Sequence, residues 1–254
     1  MLREFADRRR ITYLMLSDAD SSIIRSFGLF NETIEPGTRD YGIPHPALFF
    51  VNRAGTVRRK YMEERYYHRR ALATILADDG EGVPLQTVGQ ADHEHVAVRA
   101  LALQREVYPG NRFALVVEVE PKPDVHVYAP GAGPDYRPLM LRIDAQPYLT
   151  IYDPVYPMPD GTWLSPLDER VPVYTRPTRV RVEVALGTRH ELKPVYDAGS
   201  MLEVTGILSF QACSETVCWA PQVIPVTWAL TLLPPDLERS PEPLRREQSL
   251  PRSG

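Results

Sequence analysis

Residues 201–232 read "MLEVTGILSFQACSETVCWAPQVIPVTWALTL" and contain the only two cysteines of the 254-residue chain, Cys213 and Cys218. On either side of the cysteines the sequence has strand-like runs in which apolar and polar residues alternate, as in β-strands with one buried face. The residues between the cysteines, "SETV", are compatible with a turn. The stretch therefore predicts a β-hairpin whose tip carries a cysteine pair able to close a small disulfide ring.

Strand-like runs of the same kind occur throughout residues 93–233, separated by proline or glycine clusters. They are "HVAVRALALQ", "RFALVVEVE", "DVHVYA", "LMLRIDA", "TRVRVEVAL", "MLEVTGILSFQA" and "VIPVTWALTL". Most of the 25 prolines lie after position 80, which favours β structure with many turns over a helical bundle. The spacing predicts an antiparallel β-sandwich over residues 93–233, with a closed barrel as the alternative.

Residues 1–78 differ because helix-like and strand-like patterns alternate there. The runs "ITYLML" and "PALFFVN" predict buried strands, and "NRAG" (Asn52–Gly55) predicts the turn of a hairpin. A closing helix is expected in "YHRRALATILADDG". Residues 79–92 have the glycine, proline and polar composition of a linker, and residues 234–254 are too polar to bury much surface, so we expect a disordered tail.

Charge and hydropathy exclude several classes of function. The net charge is −4 and the pI is near 5.9, so nothing indicates nucleic-acid binding. No apolar run reaches the roughly 18 residues that a membrane span needs, and the charged start "MLREFADRRR" has no apolar core of a secretory signal. We expect no membrane insertion and no cofactor, and a cytoplasmic protein as the sequence stands.

Three roles are open to the cysteine pair. As a structural bond, so short a ring contributes about 2 kcal/mol, which a sandwich of this size does not need. As a metal site, the pair supplies two ligands, and nothing ties His93 and His95 of "DHEHV" to it, so we expect no metal. As a redox pair, it needs a reactive thiolate and access for a partner. The residues alone leave the structural and redox roles open.

The segment "YGIPHPALFFVNRAGTVRRKY", Tyr41 to Tyr61, resembles the back half of a peroxiredoxin or redoxin-type thioredoxin fold. The resemblance implies a cis peptide bond before Pro46, with Pro44 as the nearest rival. In such folds the preceding strand–helix unit supplies the reactive cysteine, and this chain has no cysteine before Cys213. We therefore expect this truncated α/β segment to be inactive alone. Either the true start lies upstream of Met1, or the segment is a remnant that supports the second domain.

The stretch "LSFQACSETVCWAPQVIPVTWAL" resembles the N-terminal domain of the thiol:disulfide interchange protein DsbD, an immunoglobulin-like sandwich. The matching residues are Phe210–Ser214 and Cys218–Pro221. The resemblance implies a redox relay, in which the pair accepts electrons from a membrane-embedded donor domain and passes them to thioredoxin-like proteins. By the same analogy Cys218 is the expected nucleophile and Cys213 the resolving thiol.

The same family shields its cysteines with a cap loop, and "LSPLDER", residues 164–170, occupies the matching place. Leu167 is the cap candidate, with Trp163, Tyr156 and Trp219 as alternative shields; for these three aromatics a place in the sandwich core is the competing interpretation. We therefore expect two domains: a redoxin-like segment, and an all-β sandwich that performs thiol–disulfide exchange through Cys213 and Cys218. A non-catalytic interaction module with an inert disulfide, and the C-terminal part of a thiol peroxidase with a misplaced start, are the alternatives. Such an exchanger belongs in the periplasm, which requires a lost export signal.

Overall fold

The computed structural model describes residues 2–38, 40–63, 65, 67–78, 82–164 and 169–235. The chain consists mostly of β-strands with a few short helices, and it divides into two compact units, Met1–His68 and Arg69–Gly254. No helix in the described part of the chain is both long and apolar enough to cross a membrane.

The first unit contains two short helices and one antiparallel hairpin. They are α1 (Leu2–Arg8), α2 (Ser22–Ser26), β1 (Ala47–Val51) and β2 (Val57–Met62). The predicted turn at Asn52–Gly55 is confirmed: the Asn52 side-chain oxygen accepts hydrogen bonds from the backbone N–H groups of Ala54 (3.0 Å) and Thr56 (2.9 Å). Gly55 has a φ of 79°, which glycine adopts without strain.

Two expectations for the first unit are wrong. The run "ITYLML" forms no strand, and Leu14 is 81% exposed. An apolar strand needs a paired neighbour and a layer to cover it, and the described residues of this unit form only the β1–β2 sheet. None of the peptide bonds among the described residues is cis, so the bond before Pro46 is not cis. Pro46 instead directly precedes β1, where its missing N–H costs no sheet hydrogen bond.

The second unit contains the remaining strands and helices. In chain order they are β3 (Arg69–Arg70), α3 (Leu72–Asp78), β4 (Gln86–Asp92), β5 (Val96–Ala102), β6 (Glu106–Val107), β7 (Asn111–Pro121), β8 (His126–Tyr128), β9 (Met140–Ile143), β10 (Leu149–Ile151), β11 (Gly161–Leu164), β12 (Arg170–Tyr174), β13 (Thr178–Leu186), α4 (Lys193–Asp197), β14 (Met201–Phe210), β15 (Ala212–Cys213) and β16 (Gln222–Leu232). Each of the seven strand-like runs noted in the sequence lies on a strand.

These strands form three sheets. The largest has the order β10-β13-β7-β5-β4, with β3 paired to β7; the second is β6-β16-β14-β9, and the third, which carries the cysteines, is β11-β12-β8-β15. The first two sheets share one core, which contains Val117 and Val182 of one and Val204 and Trp228 of the other. The buried Trp228 Nε1–H donates to the Val116 carbonyl oxygen (3.1 Å), which joins the two sheets across that core.

The boundary between the units differs from the expected one at residue 78. Arg69 and Ala71 donate backbone hydrogen bonds to the carbonyl oxygens of Gly110 and Arg112, both at 2.7 Å. Ile75 of α3 is completely buried. Residues 69–78 therefore belong to the β-sheet unit, because their backbone and apolar groups are satisfied there.

The expected linker at 79–92 is in part a strand. Residues Gln86–Asp92 form β4, which pairs antiparallel with β5. Gly89 sits so near β16 that a β-carbon there would collide with the Thr227 carbonyl oxygen. The glycine that suggested a linker thus permits close packing of two strands. Residues 236–254, most of the expected tail at 234–254, lie outside the described residues.

Candidate functional site

The two cysteines occupy the tip of the predicted hairpin. Strands β14 and β16 pair from Met201–Thr231 to Phe210–Gln222. Beyond Phe210 the chain leaves this sheet, and β15 pairs with β8 so that Ala212 lies opposite Val127 and Cys213 opposite His126. The tip is therefore held by a different sheet from the rest of the hairpin, which fixes Cys213 against β8.

A tight turn brings the cysteines together. The Ser214 N–H donates to the Val217 carbonyl oxygen (2.8 Å), and the Val217 N–H donates to the Ser214 hydroxyl oxygen (3.1 Å). These bonds place Cys213 and Cys218 opposite each other as a single antiparallel bridge, with their Cα atoms 4.1 Å apart, and the two sulfurs form a disulfide. The predicted turn and cysteine pair are both present.

The two sulfurs have different surroundings. Cys213 is 0% exposed and belongs to a small cluster with Tyr128, Val171 and Val173 on the third sheet. Cys218 is exposed and lines an open groove of about 330 Å³. A partner can therefore approach the bond from the Cys218 side, whereas the Cys213 side is covered by protein.

Tyr128 is the polar group next to the disulfide. Its hydroxyl oxygen lies 3.1 Å from the Cys213 sulfur and 3.2 Å from the Cys218 sulfur. Disulfide sulfurs carry no hydrogen, so the hydroxyl is the donor. Burial, and to a lesser extent the neighbouring Tyr136, raises the pKa of Tyr128, so the hydroxyl keeps its proton at neutral pH.

Aromatic rings form one wall of the groove. The Tyr136 ring lies 4.9 Å from the Tyr128 ring, and the Trp163 ring lies 6.1 Å from it on β11. The Tyr136 hydroxyl donates to Glu169 Oε2 (2.8 Å). Most of the remaining lining is polar or acidic and includes Glu215, and Val217 adds an exposed apolar side chain.

The four shield candidates have different positions. Trp163 lines the groove beside Tyr128. Tyr156 and Trp219 pack against the main core: the Tyr156 hydroxyl accepts the Leu141 N–H (2.9 Å), and the Trp219 ring stacks on His95 at 3.9 Å. Leu167 lies outside the described residues. The core interpretation thus fits Tyr156 and Trp219, while Trp163 is the aromatic candidate that the fold brings to the disulfide.

Sequence reasoning missed three residues of the site. The sequence alone did not identify Tyr128, Tyr136 or His126 as site residues. The alternation in "HVY" puts His126 and Tyr128 on one face of β8, but their proximity to the cysteines depends on the pairing of β8 with β15. In the described part of the chain, no three His, Cys, Asp or Glu side chains cluster as metal ligands.

Comparisons with known proteins give two kinds of similarity. A sequence profile of the AhpC/TSA family matches residues 1–60. The second kind of similarity is to solved structures. One match is the N-terminal periplasmic domain of ScsB from Proteus mirabilis, with 14% identity and a TM-score of 0.40, covering 57% of this chain and 52% of that one. Another match is the reduced N-terminal domain of DsbD from Neisseria meningitidis (15% identity, TM-score 0.30, covering 46% of this chain and 76% of that one).

A further solved structure, AvmM, which catalyses macrocyclization in alchivemycin A biosynthesis, matches at 14% identity with a TM-score of 0.22, covering 57% of this chain and 93% of that one. No curated protein matches the chain. The chain spans about half the length of the ScsB domain (52%). Both resemblances drawn from the sequence recur in these comparisons, at low identity.

Proposed function

We propose that the Cys213–Cys218 pair performs thiol–disulfide exchange and passes reducing equivalents between thioredoxin-like partners. One observation carries this proposal: the two sulfurs of the bond are unequal, with Cys218 exposed on a groove, Cys213 buried, and the Tyr128 hydroxyl within hydrogen-bond distance of both. A bond that serves only as a staple needs neither an approachable sulfur nor a proton donor beside it.

The reaction begins with attack on the exposed sulfur. A partner thiolate attacks Sγ of Cys218, a mixed disulfide forms, and the Cys213–Cys218 bond breaks with its electron pair remaining on Cys213. The second thiolate of the same partner then attacks the partner sulfur that is bonded to Cys218. This closes the partner's own disulfide and releases Cys218. The partner dithiol is oxidised to a disulfide, and the Cys213–Cys218 pair takes up two electrons while two protons bind at the site. The reverse reaction starts with the Cys218 thiolate.

Tyr128 stabilises the leaving group in this scheme. A thiolate on the buried Cys213 is costly in an apolar site unless a donor binds it. The Tyr128 hydroxyl is already 3.1 Å from that sulfur, and a hydrogen bond to a charged acceptor is stronger than one to a neutral disulfide. The donor therefore favours the transition state, in which charge develops on Cys213, over the oxidised ground state.

The fold, the electron donor and the compartment that we propose rest on the resemblance of the cysteine motif to that of the DsbD N-terminal domain. We infer that the second unit is an immunoglobulin-like sandwich of the DsbD N-terminal kind, that a membrane electron-donor domain reduces it, and that it works in the periplasm. Trp163, beside the groove, is the shield that a docking partner displaces. The first unit is a redoxin-like segment without a catalytic role of its own, since it contains no cysteine.

Trapping of the mixed disulfide tests the proposal. Cys213→Ser leaves the exposed Cys218, and we expect this variant to accumulate a covalent complex with a thioredoxin whose resolving cysteine is replaced by serine and whose remaining cysteine carries a thionitrobenzoate disulfide, because the Cys218 thiolate displaces thionitrobenzoate from it. Cys218→Ser is the matched control, which should give little complex because Cys213 is buried. If neither variant forms the complex, or if both do so equally, the exchange scheme is wrong, and an inert disulfide in an interaction module is the better description.

A further inference from the structure

His126 is the neighbour of the buried cysteine on strand β8. It lies directly opposite Cys213 in the pairing of β8 with β15. Side chains at directly opposed positions of antiparallel strands project to the same face, with Cβ atoms about 4.5–5.5 Å apart. Tyr128, two residues along β8, projects to that face as well. The imidazole, the phenol and the Cys213 sulfur therefore belong to one small cluster.

The imidazole of His126 is buried with an unsatisfied nitrogen. The residue is 7% exposed, and its Nε2 has no hydrogen-bond partner among the described residues. Its ring neighbours are Trp163, with centroids 5.0 Å apart, and Tyr128, at 5.9 Å. A buried polar atom without a partner is costly, so an arrangement that keeps one beside a disulfide requires an explanation.

Among the residues that the structure describes, no charged group lies beside His126 in the oxidised protein that would hold a proton on it. The titratable groups that face it are Tyr128 on its own strand and the cysteines of β15 and the turn, while β11 contributes the uncharged Trp163. Burial lowers the pKa of His126. The imidazole is thus neutral at pH 7 as long as the disulfide is intact.

We propose that His126 is a redox-linked base, which takes up a proton when Cys213 becomes a thiolate. This inference deepens the proposed function but needs only that the disulfide be reversibly reduced. Breaking the bond leaves the electron pair on the Cys213 sulfur, and a proton from water binds the imidazole to give a thiolate–imidazolium pair. The second proton goes to Cys218. On reoxidation the disulfide of a partner accepts two electrons, the Cys213 sulfur bonds again to Cys218, and the protons of the imidazole and of Cys218 are released.

Two linked shifts follow from this arrangement. A negative sulfur beside the ring raises the pKa of His126, and the charged ring lowers the pKa of the Cys213 thiol by the same amount. At pH 7 the reduced pair then holds more thiolate than a buried thiol would hold alone. His126 thereby activates the Cys213 thiol. No residue inside the cysteine motif can do so, because the motif contains no lysine or histidine.

An NMR titration of the histidine rings in the full chain, with the disulfide intact and after reduction by dithiothreitol, tests the inference. The His126 signal is assigned by NMR experiments that link each ring to its own backbone in the wild-type chain. We expect its proton affinity to rise at least about tenfold on reduction, equivalent to one pH unit. His190, which is exposed and far from the cysteine motif in sequence, serves as the internal control, and its signal should not change on reduction.

A second readout uses the absorbance of the thiolate in the reduced protein. His126→Phe should shift the midpoint of thiolate formation upward and lower the thiolate fraction at pH 7 about tenfold, while His190→Phe should match the wild type. An unchanged His126 midpoint on reduction overturns the inference, even if His126→Phe fails to fold. The exchange function is tested separately by the trapping experiment, because that experiment does not depend on His126.

Discussion

At the scale of single residues, the chemistry of the site depends on three side chains that the chain contributes from two distant segments. Cys213 and Cys218 are close in sequence, but the Tyr128 hydroxyl that approaches both sulfurs comes from a position 85 residues before Cys213. The hydroxyl stabilises a buried thiolate more than it stabilises a disulfide. Its removal should therefore slow exchange without changing the fold.

Tyr128→Phe tests this role of the hydroxyl. A hydrogen bond to a charged group is worth about 1.5–3 kcal/mol, so we expect reduction of the disulfide by a dithiol to slow by about 10- to 100-fold at pH 7, measured by stopped-flow. Tyr174→Phe is the matched control, because it also removes a buried hydroxyl, one that donates to the Pro157 carbonyl oxygen (2.7 Å). Equal rates for wild type and Tyr128→Phe would contradict the account.

The cysteines and Trp163 could be predicted from the sequence, because a short motif and its resemblance point to them. Tyr128, Tyr136 and His126 could not be, since they reach the site only through the pairing of β8 with β15 and through ring contacts. Nothing in a local pattern indicates which distant strand will lie beside a two-residue strand such as β15.

At the scale of elements, the strand-like runs around the cysteines predicted the main strands well, because alternation of apolar and polar residues reports a half-buried strand directly. The region 79–92 was misjudged for a physical reason. Gly89 looks like a linker residue, but it lies where a side chain would collide with the backbone of β16. Glycine composition alone does not distinguish a flexible segment from a close approach of two strands.

Gly89→Ala should destabilise the second unit by about 1–3 kcal/mol, because the added carbon forces backbone to move in a packed region. Gly82→Ala is the matched control from the same segment, since a β-carbon there has no atom within 4 Å. Urea unfolding followed by tryptophan fluorescence measures both. Two variants of equal stability would show that β4 does not pack against β16 as described.

At the scale of the whole molecule, an ion-pair ladder crosses three strands of the largest sheet. Glu118 on β7 accepts hydrogen bonds from Arg99 on β5 (2.8 Å) and Arg179 on β13 (2.7 Å). Burial alone would raise the pKa of Glu118, but the hydrogen bonds from Arg179 and Arg99 hold it below its usual value. The carboxylate form is thus preferred in the folded state.

The lowered pKa of Glu118 determines how its contribution to stability changes with pH. The folded pKa of Glu118 lies below the unfolded value of about 4.3, so its stabilisation is fully present above that pH and is lost as the pH falls further. We expect Glu118→Gln to lower the free energy of unfolding by about 1–3 kcal/mol at pH 7 and by less at pH 3. The exposed Glu203→Gln should have little effect, and a loss that is independent of pH would contradict this origin.

The disulfide should matter little for the stability of the whole fold. The main core lies between the first two sheets, whereas Cys213 belongs to a separate small cluster on the third. The ring that the bond closes is short, so reduction should cost about 2 kcal/mol or less. Calorimetry with and without dithiothreitol measures this difference, and disappearance of the unfolding transition on reduction would instead mark the bond as structural.

The redox potential of the Cys213–Cys218 pair in the full chain tests the central claim most directly. It is measured by equilibration with glutathione or dithiothreitol at pH 7, with alkylation to count the reduced fraction. A pair built for exchange should have a potential between about −300 and −120 mV, the range of thioredoxin-like oxidoreductases. A potential below about −300 mV would identify a structural disulfide and contradict the proposed exchange function.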